Sequence, residues 1–117
     1  MSALDKAVAE LEAKRAKDDS ERKARQDAAS AFLKEFFQAD VAPSKTLQEH
    51  GVRAVFDGTR LVLQKPEEGV YAEGMMIVVG EQGEIDVSGR SLGPVGKGDR
   101  EAKKKELIAE IISHFSL

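Results

Sequence analysis

The spacing of apolar residues changes character along this chain, and each change marks an element. Residues 3–39 hold neither Gly nor Pro, and their apolar positions recur at the helical period. That predicts one helix of about 37 residues and about 55 Å. Its two halves differ. Leu4, Val8 and Leu11, with Ala7 between them, make a short stripe that then stops. From residue 12 to residue 27 nearly every position is charged, small or polar. Acid–base pairs recur at i,i+4: Glu10 with Lys14, Asp18 with Arg22, Asp19 with Lys23, Glu21 with Arg25. The acid comes first in each, the favourable order, at about 0.2–0.5 kcal/mol per pair. This half can stay helical without burial. In the second half Ala28, Ala31, Phe32, Leu33, Phe36 and Phe37 widen into a face broad enough to close a core.

Pro43 breaks the helix, because proline lacks the amide donor and restricts the residue before it. A short helical turn through Leu47 to His50 follows, capped by Gly51. The period then drops to two. Residues 52–56 and 59–64 flank Asp57 and Gly58, a strong two-residue hairpin signal. That turn pairs Phe56 with Thr59, Ala54 with Leu61 and Val52 with Leu63, which puts these side chains on one face. Arg53, Val55, Arg60 and Val62 fall on the other. Residues 65–69 read as a turn, and residues 70–79 as the longest strand, bent at Gly74. Glu81, Gln82 and Gly83 form a three-residue hairpin loop that pairs Val79 with Ile85 and Ile77 with Val87. Met76, Val78, Asp86 and Ser88 then lie on the opposite face.

Residues 89–98 hold four Gly and one Pro and read as a loop. Asp99 opens a last helix through residue 116 as its N-cap. Leu107, Ile108, Ile111, Ile112 and Phe115 form its apolar stripe, and Lys103, Lys104 and Lys105 begin its exposed side. The expected fold class is α+β: a long N-terminal helix, a four-stranded antiparallel meander, and a C-terminal helix packed with residues 28–39 on one sheet face. Residues 1–27 are then a charged helical arm and residues 28–117 a single domain.

Composition narrows the functional classes. The 117 residues include no Cys and no Trp, and aromatic content is 5%. Disulfides, thiolate catalysis and Cys-based metal centres are excluded, and the stacking platform of a single-strand nucleic-acid binder is missing. Basic and acidic residues number 8 and 9 in residues 1–43, 6 and 8 in residues 44–98, and 4 and 4 in residues 99–117. No segment is strongly basic, so a nucleic-acid partner is not expected. The N-terminus lacks the apolar core of a secretory signal, and no run approaches the ~18 apolar residues of a membrane span. A soluble cytoplasmic protein with no membrane partner is the expectation.

Candidate chemistry is sparse. The loop before the last helix resembles a phosphate loop only loosely. Ser91 stands where the Gly five residues before Gly96 and Lys97 is needed, and Gly98 stands where magnesium needs Ser or Thr. A simpler anion site at the helix N-terminus would use Arg90, Lys97 and Arg100, opposed by Asp99 capping the same amides. His50 follows Glu49 at a helix end, and His114 follows Glu110 by four residues, an ordinary helical pair. Glu67, Glu68 and Glu73 form an acidic cluster around a turn with nothing apolar to shift a pKa. No nucleophile elbow, metal set or cofactor motif is present in the sequence, so no catalytic residue, metal or cofactor is assigned.

Two apolar surfaces remain without an assigned cover: the stripe of Leu4, Val8 and Leu11, and the second sheet face, where Val55, Val62, Met76 and Val78 are bordered by Arg53, Arg60 and Asp86. The leading expectation is a non-enzymatic interaction or assembly module, a homodimer or a binder of another protein, that uses both surfaces. The alternative is a domain binding small anionic ligands or nucleic acid through Arg53 and Arg60 on the sheet, or Arg90, Lys97 and Arg100 at the loop.

Overall fold

A computed structural model describes residues 2–67, 70–71, 74–96 and 98–117; of residues 66–67 and 70–71 only the backbone is described. Helix α1 spans Ala3–Phe36, continues into a π-helical turn at Phe37–Val41, and is followed by the short α2 at Lys45–Glu49. Among the described residues seven strands come next: β1 Arg53–Phe56, β2 Arg60–Gln64, β3 Pro66–Glu67, β4 Val70–Tyr71, β5 Met75–Val79, β6 Glu84–Val87 and β7 Arg90–Pro94. Helix α3 covers Arg100–Phe115. Five strands form an antiparallel sheet in the order β1-β2-β5-β6-β7, and β3 and β4 make a separate two-stranded ribbon. The α+β class and the long N-terminal helix stand as the sequence predicts, with five strands in the main sheet rather than four.

Ser2 starts α1 by accepting a hydrogen bond from the Asp5 amide (3.1 Å), with the Asp5 carboxylate in the first turn favoured by the helix dipole. The core half of α1 buries Ala29, Phe32, Leu33 and Phe36. Ala28 and Ala31, expected on that face, are exposed. Alanines carry too little apolar surface to fix the azimuth of the face; the bulky neighbours set it. At the end of α1 the Ala42 amide reaches back five residues to the Phe37 carbonyl (2.8 Å). This wider turn brings Val41 into the core. Phe37 stacks on Phe56 at 5.6 Å and 21°. Ser44 caps α2 through the Leu47 amide (3.2 Å), and Gly51 ends it at φ +72°.

The first hairpin turns one residue later than the sequence suggests, which shifts the pairing by two. Ala54 pairs with Leu63 and Phe56 with Leu61, so Gly58 and Thr59 form the loop, with Gly58 at φ +105° in its first central position. A shift of two keeps every side chain on its expected face. Asp57 explains the choice. Its carboxylate accepts from the amides of Thr59 (3.3 Å) and Arg60 (3.0 Å) and pairs with the Arg60 guanidinium (3.2 Å). Desolvation pulls the Asp57 pKa upward, but the Thr59 and Arg60 hydrogen bonds together outweigh it and hold the carboxyl below its ordinary 3.8. A folded pKa below the unfolded one contributes stability above the unfolded value and loses it as pH falls through the folded value. Asp57→Asn is therefore expected to flatten the acid limb of Tm against pH below about pH 4; identical acid limbs for the two proteins would contradict this role.

The second hairpin has the predicted register, Val79 with Ile85 and Ile77 with Val87. The expected strand over residues 70–79 is divided into β4 and β5, with Gly74 in the break. The expected loop over residues 89–98 contains β7. Ser88 and Gly89, both at positive φ (48° and 88°), turn the chain into a third hairpin in which Val87 pairs with Arg90. Gly93 and Pro94 are tolerated because β7 is an edge strand with a register shift near its end. Lys103 corrects a second expectation: it is buried, not exposed, and its ammonium donates to the Leu92 carbonyl and pairs with Glu106 (3.3 Å). It stitches α3 to the edge strand. Asp99 precedes α3 but makes no side-chain cap hydrogen bond.

One layer of side chains from Leu61, Leu63, Met75, Ile77, Ile85 and Val87 meets Phe32, Leu33, Phe36, Leu107 and Ile111 from the helices. The domain ends on α1 at the turn between β5 and β6. Arg25 donates to the Gln82 carbonyl (3.3 Å) and side chain (3.1 Å), and Gln26 donates to the Glu81 carbonyl (2.7 Å). N-terminal to this contact the helix stands free. The radius of gyration is 18.9 Å and the longest extent 69 Å, against about 13 Å for the radius of a compact domain of this length.

Candidate functional site

Residues 2–21 of the arm are all exposed. The packed half of α1 supplies the nucleus that an isolated helix of this length lacks, so the arm only has to propagate, and its Ala, Glu, Lys, Arg and Leu content favours that. The ion pair formed among its described residues is Asp19 with Arg22 at i,i+3 (3.1 Å), not one of the expected i,i+4 pairs, and Arg25 is diverted to the β5–β6 turn. Leu4, Val8 and Leu11 are 73%, 45% and 48% exposed. At 100° per residue their mean direction lies within about 40° of that of Ala29, Leu33 and Phe36. The stripe therefore faces the side of α1 on which its own domain sits, but beyond the domain's rim.

The second sheet face is laid out by the registers. Val55, Val62 and Met76 stand directly across from one another on β1, β2 and β5, and Arg60, Val78, Asp86 and Ser91 form the next row. Val55 is 65% and Met76 39% exposed, with Val62 and Val78 half-buried. All four predicted apolar residues share this face, and among the described residues no helix covers it. The strip is one to two side chains wide.

The basic residues are not brought together. Arg53 pairs with Gln64 at one end of the first hairpin, and Arg60 lies at the other end, bound to Asp57. Arg90 is ion-paired to Glu110 of α3, and Arg100 lies 3.6 Å from Glu35 of α1. Glu110 thus serves Arg90, and His114 packs edge-on against Phe115 at 4.7 Å. Arg90, Glu110 and His114 share an open cavity of about 300 Å³ with Ser88, Met75 and Val87. Lys97, Glu68 and Glu73 lie outside the described residues, as does the side chain of Glu67. Among the described residues no group of three or more His, Asp or Glu side chains could hold a metal ion. No helix among them is long and apolar enough to cross a membrane.

A third apolar surface had no counterpart in the sequence reading. Only Leu107 and Ile111 of the α3 stripe are buried; Ile108 and Ile112, expected in the core, are 37% and 46% exposed. With Phe36, Val41, Leu47 and Leu117 they line a groove of about 330 Å³ between α3, the π turn and α2, edged by Asp40, Ser44 and Thr46. Lys104 reaches across to Asp40 (2.9 Å). Asp40, by hydrogen bonding and by its charge, raises the Lys104 pKa above its ordinary 10.5, against the opposing pull of desolvation. The sequence signal was the five-residue width of the α3 stripe, more apolar surface than one sheet contact can cover.

Comparison of the chain with protein-family models, with curated protein sequences and with solved structures finds no match.

Proposed function

We propose that this chain is a non-enzymatic assembly module whose N-terminal helix reaches a second copy, with the open sheet face as a further contact surface. The observation that carries the reading is the arm itself: a continuation of a core helix, exposed along its length, with three large aliphatic side chains aligned where the chain's own domain no longer reaches. A solvated helix needs no such stripe, and its energetic cost to solubility is avoided only if a partner covers it.

The magnitudes say what kind of cover is needed. Fully burying a Leu or Val contributes about 1.5–3 kcal/mol, and these three start 45–73% exposed, so one arm supplies roughly 3 kcal/mol. Association costs at least about 4 kcal/mol in lost freedom. An arm landing on a polar surface does not hold a complex; it needs an apolar receiver and a reciprocal second arm. The anionic-ligand alternative has less support, because Arg60, Arg90 and Arg100 already face carboxylates and Arg53 is remote from them.

Replacing Leu4, Val8 and Leu11 together with Glu is expected to abolish association in sedimentation velocity while leaving the Tm of the domain within about 2 °C, since exposed positions contribute little to folding. An unchanged sedimentation coefficient would remove the arm from the account.

A further inference from the structure

The groove beside α3 and the arm stripe are concave and convex apolar features that the fold leaves open, and they lie at opposite ends of α1. Leu11 and Phe36 are separated by about 38 Å of helix, so the arm cannot enter its own groove while α1 stays continuous. We propose that the groove is the seat of the N-terminal arm of a second copy, with Val8 and one neighbouring anchor lodged between Ile108 and Ile112 of α3 and the wall made by Val41 and Leu47. This rests on the reading of the arm as the element of association, and it names where the arm lands.

Helix-in-groove recognition uses anchors at i, i+4 and i+7, the spacing of Leu4, Val8 and Leu11. These anchors span about 10.5 Å, and the exposed pair Ile108 and Ile112 spans about 6 Å, which suits two anchors in the groove and the third at its mouth. The groove is concave and apolar where the sheet strip is flat and interrupted by Arg53, Arg60 and Asp86, so the same stripe excludes more water there. Exposed Lys45 adjoins Ser44 and Thr46 of the groove's edge, and exposed Lys105 lies one turn before Ile108, opposite in sign to Asp5 and Glu12 beside the stripe; the groove's own acid, Asp40, is ion-paired to Lys104. Two copies with antiparallel α1 helices bring each arm to the other's groove. That contact is isologous and closes as a dimer without leaving a free arm.

The chain has no Cys, which gives a clean background for the test. Full-length Val8→Cys and Ile112→Cys proteins are mixed and treated with a short bis-maleimide, beside a mixture of Val8→Cys with Val62→Cys. The expected result is a covalent heterodimer in the first mixture and none in the second. Light scattering run in parallel separates the two ways of failing. A dimer that links through Val62→Cys, or through neither position, overturns the groove as the seat and leaves the arm reading standing. Monomers at every concentration overturn both. Ile112→Glu in the full chain supplies a second readout. It is expected to raise the dimer Kd about tenfold for each of two equivalent grooves, about a hundredfold in all, and an unchanged Kd overturns the proposal.

Discussion

Phe36→Ala is expected to lower the free energy of unfolding by about 3–5 kcal/mol, the range for removing a fully buried aromatic side chain. Phe36 is 2% exposed and the largest side chain buried to that extent or further. It sits where α1 passes into the π turn and faces the groove wall made by Ile111 and Leu47. The surroundings cannot collapse onto the space it leaves, because the wall opposite belongs to α3 and is held by Lys103 to β7 and by Lys104 to Asp40. Native domains have only about 5–15 kcal/mol to lose, so a large part of the stability goes with one ring. Urea denaturation monitored by circular dichroism measures it. Phe37→Ala is the control: Phe37 is half-buried and stacks on Phe56, so its loss is expected to be clearly smaller. Equal losses at the two positions would show that the core does not centre on Phe36.

Gly83→Ala is the second large effect, expected at about 2–5 kcal/mol. Gly83 is buried at φ +78°, where an L residue is strained by about 1–2 kcal/mol. Its new Cβ would also stand 2.7 Å from the Arg25 Cβ and 2.8 Å from the Arg25 carbonyl carbon and oxygen. Helix backbone cannot move aside, so the turn must slide off the helix, adding an overpacking cost of about 1–3 kcal/mol. The hydrogen bonds from Arg25 and Gln26 to this turn go with it. Besides the fall in stability, amide exchange is expected to accelerate around residues 22–29, because that contact ends the free arm. Full protection there in the variant would contradict the docking of the turn.

Faces of strands were legible because their period of two survives a register shift of two, as the first hairpin shows. Strand β7 was hidden by Gly93 and Pro94, which weaken a central strand but not an edge. Lys103 was read as solvent-facing from its charge, yet its aliphatic stem packs like an apolar side chain and its head finds the Leu92 carbonyl. Ile108 and Ile112 were assigned to the core from helical spacing, which says that residues share a side of a helix but not how much of that side a neighbour covers. The contact of Arg25 and Gln26 with the β5–β6 turn joins residues 55 and 57 apart in sequence and has no local signature. The exposed stripe of Leu4, Val8 and Leu11 was legible, because its abrupt end at the polar stretch of residues 12–27 is itself local.

The measurement that bears most directly on assembly through the arm is the solution mass, by light scattering after size exclusion, of the full chain and of a chain lacking residues 1–21. The cut falls before Arg22 so that the Arg25 and Gln26 contacts with the turn are kept. A dimer is expected for the full chain and a folded monomer for the truncated one. A monomeric full chain, or a truncated chain that still dimerises, would contradict assembly through the arm.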